Sequence, residues 1–425
     1  MGARIPKEWL DLLEMIRENN SRFIGVQLGP TKMGALESMQ GLRLIRTDEK
    51  GRISITSAGC AILDEERGSG ILKLIGNRSK VLEEVRKRVV GREHRLRQRL
   101  QQERKVGQIN FSNIFVVAKL WNSATPVFPP LDMPKFGRSI GGGGYILMWQ
   151  DLCLCIDPGV NFLTRFYRRE LSPKDIDGII VTHDHFDHTC DIEGLLTLLF
   201  ELKESGTARK VDFLASRGTL IKYNEMITRG VKGGYLNPIC LQPGQSVVLP
   251  NWKGKIGLGV TRAFHWEYYS SCPVGLTFNL TSPRNQSTIF KIGITGDTRW
   301  SYELYADFAE TNLLVAHLGS IEREDDRFLP WHLGAKGLSL LIKGIRPQLT
   351  IVSEFGEEIG NDRYELCKTL SEVTDCKVIP GELDMEISIP QMQCRMGAVE
   401  PFKPLNDFVN RMYERGYNNE DTAIY

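Results

Sequence analysis

The first 60 residues change from helical to strand-like spacing of apolar positions. Apolar side chains in residues 6–19 recur every three or four positions, as on one face of a helix: Leu10, Leu13, Met15 and Ile16. A second short helix is predicted from Thr31 to Gln40, directly before Gly41. Two segments in which apolar and polar residues alternate, 42–46 and 52–56, then flank a polar turn and predict a β-hairpin.

A long polar segment from Lys80 to Lys105 is predicted to form one strongly basic helix. It contains ten Lys/Arg residues against four Glu residues. Two interpretations stay open: the helix contacts a nucleic acid or another anion, or it is a solvated connecting helix that also dimerises. His94 lies within this helix and is not expected to bind a metal ion.

Short apolar runs alternate with polar loops in the rest of the chain, which is typical of an α/β protein. A helix is predicted at 191–202, and strands are predicted at 145–147, 152–157, 179–181, 292–295, 313–316 and 349–352. Gly141 to Gly144 precede the first of these strands, and no Lys-Ser/Thr pair follows them, which favours a tight turn over a phosphate-binding loop. A last short helix is predicted to carry Phe408, Met412 and Tyr413.

Composition excludes some classes of protein. The 425 residues are 41% hydrophobic and 25% charged, as in a soluble globular protein, and a net charge of +2 gives no general attraction to nucleic acid or membranes. No apolar run approaches the roughly 18 residues of a membrane span. Acidic residues near the start argue against a signal peptide, and nine cysteines without a CxxC pair favour reduced thiols. We therefore expect a cytoplasmic protein with Cys153 and Cys155 in its core.

The most specific chemical signal is the heptapeptide 182–188, Thr-His-Asp-His-Phe-Asp-His, which directly follows the apolar run Ile179 to Val181. A strand that ends in such a loop delivers imidazoles and carboxylates to one edge of a sheet, as a catalytic zinc site requires. Six of the seven histidines fall between residues 183 and 332. This clustering favours a shared metal site over a polar surface loop.

The order of strand, Asp157-Pro158-Gly159, strand, HxHxDH loop and helix is similar to the metallo-β-lactamase fold. The resemblance runs from about residue 108 to 392 and implies an α/β protein, an αββα sandwich of two mixed sheets with helices outside and metal ions at one edge. Four segments are expected: a winged-helix-like domain at 1–66, a basic helical linker at 67–107, the metallo-β-lactamase-fold domain at 108–400, and a C-terminal helix and tail at 401–425.

The first of these segments carries a resemblance of its own. The sequence GLRLIRTDEKGRISITSAGCAIL resembles the wing and following helix of winged helix-turn-helix domains. This resemblance implies contact with DNA, or else with protein in a homodimer. The segment that would enter a DNA groove, Pro30 to Gln40, has one lysine and one glutamate, which is poor for phosphate contact.

Two later motifs narrow the resemblance to the tRNA 3′-processing endonuclease (RNase Z) branch and its phosphodiesterase relatives. His265 stands in Ala-Phe-His-Trp, about ten residues before a strand led by Gly275, and Asp297 stands in Gly-Asp-Thr at the end of a strand. The TPGHT-like motif of glyoxalase-type and lactonase-type members is absent. The resemblance implies two Zn²⁺ ions: one on His183, His185 and His265, the second on Asp187 and His188, with Asp297 bridging. Asp187 is also counted as a catalytic residue.

The sequence departs from that branch at three later positions. His317 stands where the branch has a glutamate, and His332 resembles the histidine of an HxT loop. Both are predicted to be catalytic, His332 as the general acid for the leaving oxygen or as a phosphate contact. Glu354 occupies the place of the last zinc-binding histidine.

Glu354 leaves the second metal site open to three interpretations. As a ligand it lowers the charge of the site and suits a harder ion such as Mn²⁺. Alternatively His317 or His332 completes the second site, or only one metal ion is bound.

The predicted function is that of a metal-dependent hydrolase, a phosphodiesterase or nuclease that uses a metal-bound hydroxide on a nucleic acid or nucleotide. Two alternatives stay open: a winged-helix regulator whose second domain senses or hydrolyses a small molecule, and a hydrolase of non-phosphate esters or lactones.

Overall fold

The protein divides into two compact units, Met1–Arg99 and Leu100–Tyr425. The structure, a computed structural model, describes residues 6–18, 23–24, 30–50, 52–66, 79–101, 113–120, 142–206, 209–265, 272–284, 287–322 and 327–417. Within these ranges every helix is too short or too polar to cross a lipid bilayer.

The first unit combines helices with a small antiparallel sheet of strand order β1-β3-β2. Its described elements are α1 (Lys7–Glu18), β1 (Phe23–Ile24), α2 (Pro30–Gly41), β2 (Ile45–Thr47), β3 (Arg52–Ile55), α3 (Ser57–Glu66) and α4 (Ser79–Gln101). The apolar face of α1 packs with α2, the sheet and α3 in one buried core. The two predicted helices, the hairpin and the long basic helix are confirmed. Whether this unit binds DNA as a winged helix stays a prediction.

The second unit contains two mixed sheets. The larger sheet has the order β18-β17-β4-β5-β6-β7-β8-β9, and the smaller has the order β10-β11-β12-β13-β14-β15-β16. The strands are β4 (Ile114–Lys119), β5 (Gly142–Trp149), β6 (Leu152–Ile156), β7 (Gly178–Val181), β8 (Val211–Ala215), β9 (Leu236–Cys240), β10 (Ser246–Val247), β11 (Ile256–Arg262), β12 (Val274–Thr281), β13 (Thr288–Ile294), β14 (Leu313–His317), β15 (Leu349–Ser353), β16 (Val378–Pro380), β17 (Met385–Ser388) and β18 (Gln393–Met396).

Most described helices of this unit pack on the outer faces of the sheets, and the last one, Leu405–Tyr417, packs against the cluster between the sheets. The described helices are α5 (Phe162–Arg168), α6 (Phe186–Thr189), α7 (Ile192–Glu204), α8 (Arg217–Lys222), α9 (Asn224–Lys232), α10 (Glu303–Asp307), α11 (Ala335–Ile345), α12 (Arg363–Thr374) and α13 (Leu405–Tyr417). Three 3-10 turns accompany them: Pro173–Asp175, Pro250–Trp252 and Glu357–Asp362.

Three apolar clusters define the layers of this unit. The first lies between the sheets and joins residues such as Phe115 and Leu147 of the larger sheet to Leu276 and Ile292 of the smaller one. The second packs α5 and α7 on the larger sheet, with Cys153 and Cys155 fully buried as predicted. The third packs α11 and α12 on the smaller sheet. The predicted αββα sandwich is therefore confirmed.

Parallel strands bring the polar loops to one edge of the sandwich. Strands β6 and β7 are parallel neighbours in the larger sheet, and β13, β14 and β15 are parallel neighbours in the smaller one. Loops that follow the carboxyl ends of parallel neighbours meet at the same edge of a sheet. The candidate residues after these five strands are therefore brought together although they are far apart in sequence.

Two hydrogen bonds join the two sheets at this edge. The Ser353 hydroxyl donates to the Lys119 carbonyl at 2.7 Å, and the Phe355 N–H donates to the Leu120 carbonyl at 3.1 Å. Glu354 lies between the two bonded residues with φ of 58°, a left-handed conformation that side chains other than glycine adopt only under constraint. These two hydrogen bonds hold the end of β4 beside the end of β15.

The glycine run before β5 does not form the predicted turn. Gly142 to Gly144 begin the strand itself, beside an irregularity in its pairing with β4. Gly144 has φ of 95°, and a Cβ atom there would overlap the carbonyl oxygens of Ile156 and Asp157. The glycine is therefore required by a close approach of two backbones, an interaction that the sequence pattern alone does not show.

We predict that Gly144→Ala destabilises the protein by about 3 kcal/mol or more, because it combines backbone overlap with a left-handed φ. Gly234→Ala is the matched control, since Gly234 has φ of 77° and nothing within 4 Å of an added Cβ. The control is expected to lose about 1–2 kcal/mol. Urea unfolding of both variants measures the difference, and equal losses would contradict the overlap argument.

Candidate metal centre

The heptapeptide loop is held in place by Asp157. Thr182 donates to the Asp157 carboxylate from both its N–H and its hydroxyl, each at 2.7 Å. On the far side, Lys222 donates to the Asp184 carbonyl at 2.8 Å and to the Thr189 hydroxyl at 2.9 Å. The loop between β7 and α6 is thus bonded at both ends, which fixes the directions of its histidines.

A first group of possible metal ligands consists of His183, His185, His265 and Asp297, with one ligand atom from each lying within 4.8 Å of all the others. His265 Nε2 lies 3.4 Å from His185 Nδ1, and His183 Nε2 lies 3.6 Å from Asp297 Oδ2. A tetrahedral Zn²⁺ with nitrogen ligands at about 2.0–2.1 Å has ligand separations of roughly 3.4 Å. The spacing of the first group therefore fits a metal ion.

In His183 and His265, a hydrogen bond from Nδ1 leaves the lone pair of Nε2 directed towards the other possible ligands. The Thr182 hydroxyl gives its hydrogen to Asp157, so at 3.2 Å it accepts from His183 Nδ1. His265 Nδ1 donates to the Trp331 carbonyl at 2.9 Å. His183 Nε2 is buried and has no hydrogen-bond partner among the described residues. A buried polar atom without a partner is costly, and a metal ion would satisfy this one.

The charge states of the first group also suit a metal. Burial, with the nearby charge of His188, holds the pKa of His183 well below its usual value. Burial and His265 lower the pKa of His185. Both imidazoles are therefore neutral near pH 7, as metal binding requires.

A second group consists of His188, His317 and Glu354, together with the same Asp297. Here the contacts are shorter. His317 Nδ1 lies 2.6 Å from Glu354 Oε2 and 2.9 Å from Asp297 Oδ1, and His188 Nε2 lies 2.9 Å from Glu354 Oε1. These are hydrogen-bond distances, and they are shorter than the roughly 3.4 Å separations between ligands of a tetrahedral Zn²⁺.

Asp297 faces both groups with a different oxygen. Its Oδ2 is turned to His183 of the first group, and its Oδ1 is turned to His317 of the second. Burial acts to raise the pKa of Asp297, but the contacts with His188 and His317 outweigh it and hold the pKa well below its usual value. The carboxylate is in the position that the predicted bridging role needs.

The structure adds Lys119, which no sequence motif indicated. Its side chain is fully buried at the end of β4, and its ammonium lies 3.2 Å from Asp187 Oδ2, 3.0 Å from His188 Nε2 and in contact with Glu354 Oε1. Burial acts to lower the pKa of Lys119, but Asp187 and Glu354 raise it, so the ammonium is charged. In the sequence, Lys119 is a single lysine at the end of an apolar run. A lysine at such a position is expected to be buried, and a buried lysine requires carboxylate partners.

Asp187, predicted as a ligand and a catalytic residue, falls into neither group. Its carboxylate pairs with Lys119, and it lies 3.5 Å from His188 Nε2. Its role as a ligand of the second metal and as a catalytic residue therefore stays a prediction, with Lys119 as its observed partner.

Glu354 does lie in the second group, where cations keep it ionised. Burial and Asp297 act to raise the pKa of Glu354, but His317, Lys119 and His188 outweigh them and lower it to about 2. The carboxylate is 2% exposed and has no direct access to substrate.

His317 and His332, both predicted to be catalytic, occupy different environments. His317 is buried, with Nε2 2.9 Å from the Tyr145 hydroxyl, which argues against direct contact with substrate. The His332 side chain is 37% exposed, and its Nε2 lies 3.5 Å from Asp297 Oδ2. Burial acts to lower the pKa of His332, but Asp297 outweighs it and raises the pKa. Of the two, only His332 stands at the entrance to the first group.

Comparisons with known proteins agree with this architecture. The family model described as Beta-lactamase superfamily domain matches residues 154–353. An uncharacterized protein of Methanocaldococcus jannaschii, MJ1374, is 24% identical over 253 residues, which cover 58% of this chain and 87% of that protein.

Solved structures show the same likeness at lower identity. The metallo-β-lactamase fold protein YhfI of Bacillus subtilis is 14% identical with a TM-score of 0.50, covering 64% of this chain and 97% of its own. The short form of human tRNase Z is 15% identical with a TM-score of 0.44, covering 65% of this chain and 99% of its own. The family match and the architecture establish that the second unit has the metallo-β-lactamase fold.

We predict that His265→Ala weakens divalent-metal binding by more than about 100-fold, because losing a ligand should exceed the roughly 10–100-fold effect of losing an outer hydrogen-bond partner. Calorimetric titration with Zn²⁺ and Mn²⁺ provides the measurement. His94→Ala is the control, since His94 lies on α4 with Gln98 as its partner. Equal affinities for the two variants would remove His265 from the metal site.

Proposed function

We propose that the protein is a metal-dependent phosphodiesterase that hydrolyses a nucleic acid or a nucleotide. The observation that carries this proposal is the first group, in which three imidazoles and a carboxylate stand at metal-ligand spacing beside the partly exposed His332. Zn²⁺ is the proposed ion, because imidazole-rich tetrahedral sites favour it. When bound, a divalent cation lowers the pKa of water and withdraws charge from a phosphoryl oxygen.

The side chains around the ion have separate roles in this proposal. His183, His185 and His265 hold the ion, and hydrogen bonds to Thr182 and Trp331 keep two of these rings in the required orientation. His332 stands where its Nε2 can give a proton to the leaving oxygen, which would otherwise depart as an unstable alkoxide.

Exposed aromatic side chains beyond Asp297 support a substrate with bases. The Trp300 ring packs against Tyr302, Tyr305 and Phe328, with centroids 5.3–6.2 Å away. Tyr302 is 77% exposed and Phe328 is 40% exposed. Exposed rings of this kind can stack on bases, whatever their sequence.

One cationic side chain lies over one of these rings, and another adjoins Trp300 in the sequence. Arg299 is exposed directly after the Gly-Asp-Thr motif, and Lys336 lies 5.0 Å from the centre of the Phe328 ring. Together with the resemblance of the His265 and Asp297 motifs to the RNase Z branch, this setting favours a phosphodiester over a lactone.

A substrate panel tests the proposal. Full-length protein saturated with Zn²⁺ is expected to hydrolyse at least one of tRNA, single-stranded DNA, double-stranded DNA and cyclic nucleotides. His185→Ala is expected to lower that rate at least about a thousandfold, because the ion supplies several kcal/mol of stabilisation. Hydrolysis of lactones alone, or phosphodiester hydrolysis unchanged in His185→Ala, would refute the assignment.

The leaving-group dependence of His332→Gln tests the proton donor. The variant is expected to hydrolyse an unactivated phosphodiester about 10²–10⁴-fold more slowly than the wild type. With bis(p-nitrophenyl) phosphate the loss should be less than about tenfold, because p-nitrophenolate leaves without a proton. An equal loss of kcat on both substrates would assign His332 to phosphate binding or metal binding instead.

A further inference from the structure

We propose that the Lys119 ammonium is the resident cation of the second group, so that the protein binds one divalent metal ion per chain, at the first group. This inference rests on the metal dependence in the proposed function, but not on the choice of substrate. It separates the two groups by their chemistry: the first takes a metal ion, and the second is completed by a side chain.

The spacing of polar atoms differs between the two groups. In the first, the neighbouring ligand atoms stand 3.4 and 3.6 Å apart, as around a tetrahedral ion. In the second, contacts of 2.6 and 2.9 Å join His317 to Glu354 and Asp297 directly. His317 Nδ1 donates its hydrogen to Asp297 and lies against Glu354, and these atoms would have to separate before a tetrahedral ion could bind them all.

Lys119 contacts atoms that a second ion would need. Its ammonium lies 3.0 Å from His188 Nε2 and touches Glu354 Oε1, and both residues belong to the second group. It also holds Asp187 Oδ2 at 3.2 Å. A divalent ion on the same atoms would lie next to the ammonium, and two cations at that distance in a buried site repel strongly.

The imidazoles of the second group are already fully engaged. His188 contacts Asp157 through Nδ1 at 2.9 Å and Lys119 through Nε2. His317 contacts Asp297 through Nδ1 and the Tyr145 hydroxyl through Nε2. His183 of the first group is the contrast, because its buried Nε2 has no hydrogen-bond partner among the described residues. Among the described residues, the imidazole without a partner lies in the first group; in the second group Glu354 Oε1 also lacks a hydrogen bond, but it contacts the charged Lys119.

Within the described part of the chain the Lys119 ammonium is enclosed, so we expect it to stay in place when a second ion arrives. Lys119 is 0% exposed, and its carbonyl is bonded to the Ser353 hydroxyl at 2.7 Å, which fixes the start of the side chain. An ammonium displaced from Asp187 and Glu354 would therefore be a buried charge without partners. The second group consequently keeps its lysine.

The test is the number of metal ions bound per chain. Three full-length proteins are compared: the wild type, Lys119→Met and Lys222→Met. Each is saturated with Zn²⁺, and gel filtration then removes weakly bound ion. Mass spectrometry measures the metal that remains. We expect one ion per chain in the wild type and two in Lys119→Met, which removes the charge and nearly keeps the shape. Lys222→Met is the matched control: Lys222 bonds the same loop without touching either group, and one ion is expected.

Electron paramagnetic resonance of the Mn²⁺-loaded proteins gives a second readout that is independent of activity. We expect isolated ions in the wild type and a spin-coupled pair in Lys119→Met, because the groups share Asp297. Two ions in the wild type, or one ion in a folded Lys119→Met, would overturn the inference and leave the proposed function standing. If circular dichroism shows that Lys119→Met does not fold, the wild-type ratio decides alone. A wild type that binds no metal would overturn both proposals.

Discussion

The metal centre depends on the carboxylate of Asp157, which is fully buried and binds the heptapeptide loop. By accepting the Thr182 hydroxyl hydrogen it makes that oxygen an acceptor for His183, and it contacts His188 Nδ1 at 2.9 Å. One carboxylate thus orients an imidazole in each group. Asp157 has φ of 47°, and the backbone approaches Gly144 so closely there that no side chain fits. A glycine in one strand therefore sets the direction of two histidines in a loop about 40 residues later.

The two groups share Asp297 but balance charge in different ways. Neutral histidines dominate the first group, so a divalent ion adds positive charge where a phosphodiester would bind. Around the second group Asp187 and Glu354 add negative charge, and Lys119 offsets part of it without exchanging with solvent. The cation that can exchange with solvent is therefore the divalent ion proposed for the first group. That group lies next to His332, whose side chain is 37% exposed. In the proposed function, substrate and metal therefore bind at the same face, and the second group lies behind the first.

Local sequence predicted the parts of the site that follow directly from strands. The loop after β7 is predicted from the apolar run that ends in it, whereas His265 after β11 and Asp297 after β13 are predicted from the resemblance of their motifs to the nuclease branch. Lys119 could not be recognised in this way, since its partner Asp187 is 68 residues away and the pairing depends on the order of strands across two sheets. The glycine run differs from its predicted turn for the same reason: the close approach at Gly144 exists only once β5 and β6 are paired. Long-range register, and not local propensity, determines these features.

Glu354 and Lys119 are best understood as one unit. The nuclease branch that the sequence resembles has a histidine at the place of Glu354, and a glutamate alone would add a buried negative charge. Paired with Lys119, it contributes no net charge, as a neutral histidine would. Either residue alone would be a buried ion that lacks its closest opposite charge, and breaking a buried pair by removing one partner is strongly destabilising. The bonds from Ser353 and Phe355 to the end of β4 hold the two side chains together. A glutamate at this position is therefore compatible with the fold because the opposite sheet supplies a lysine.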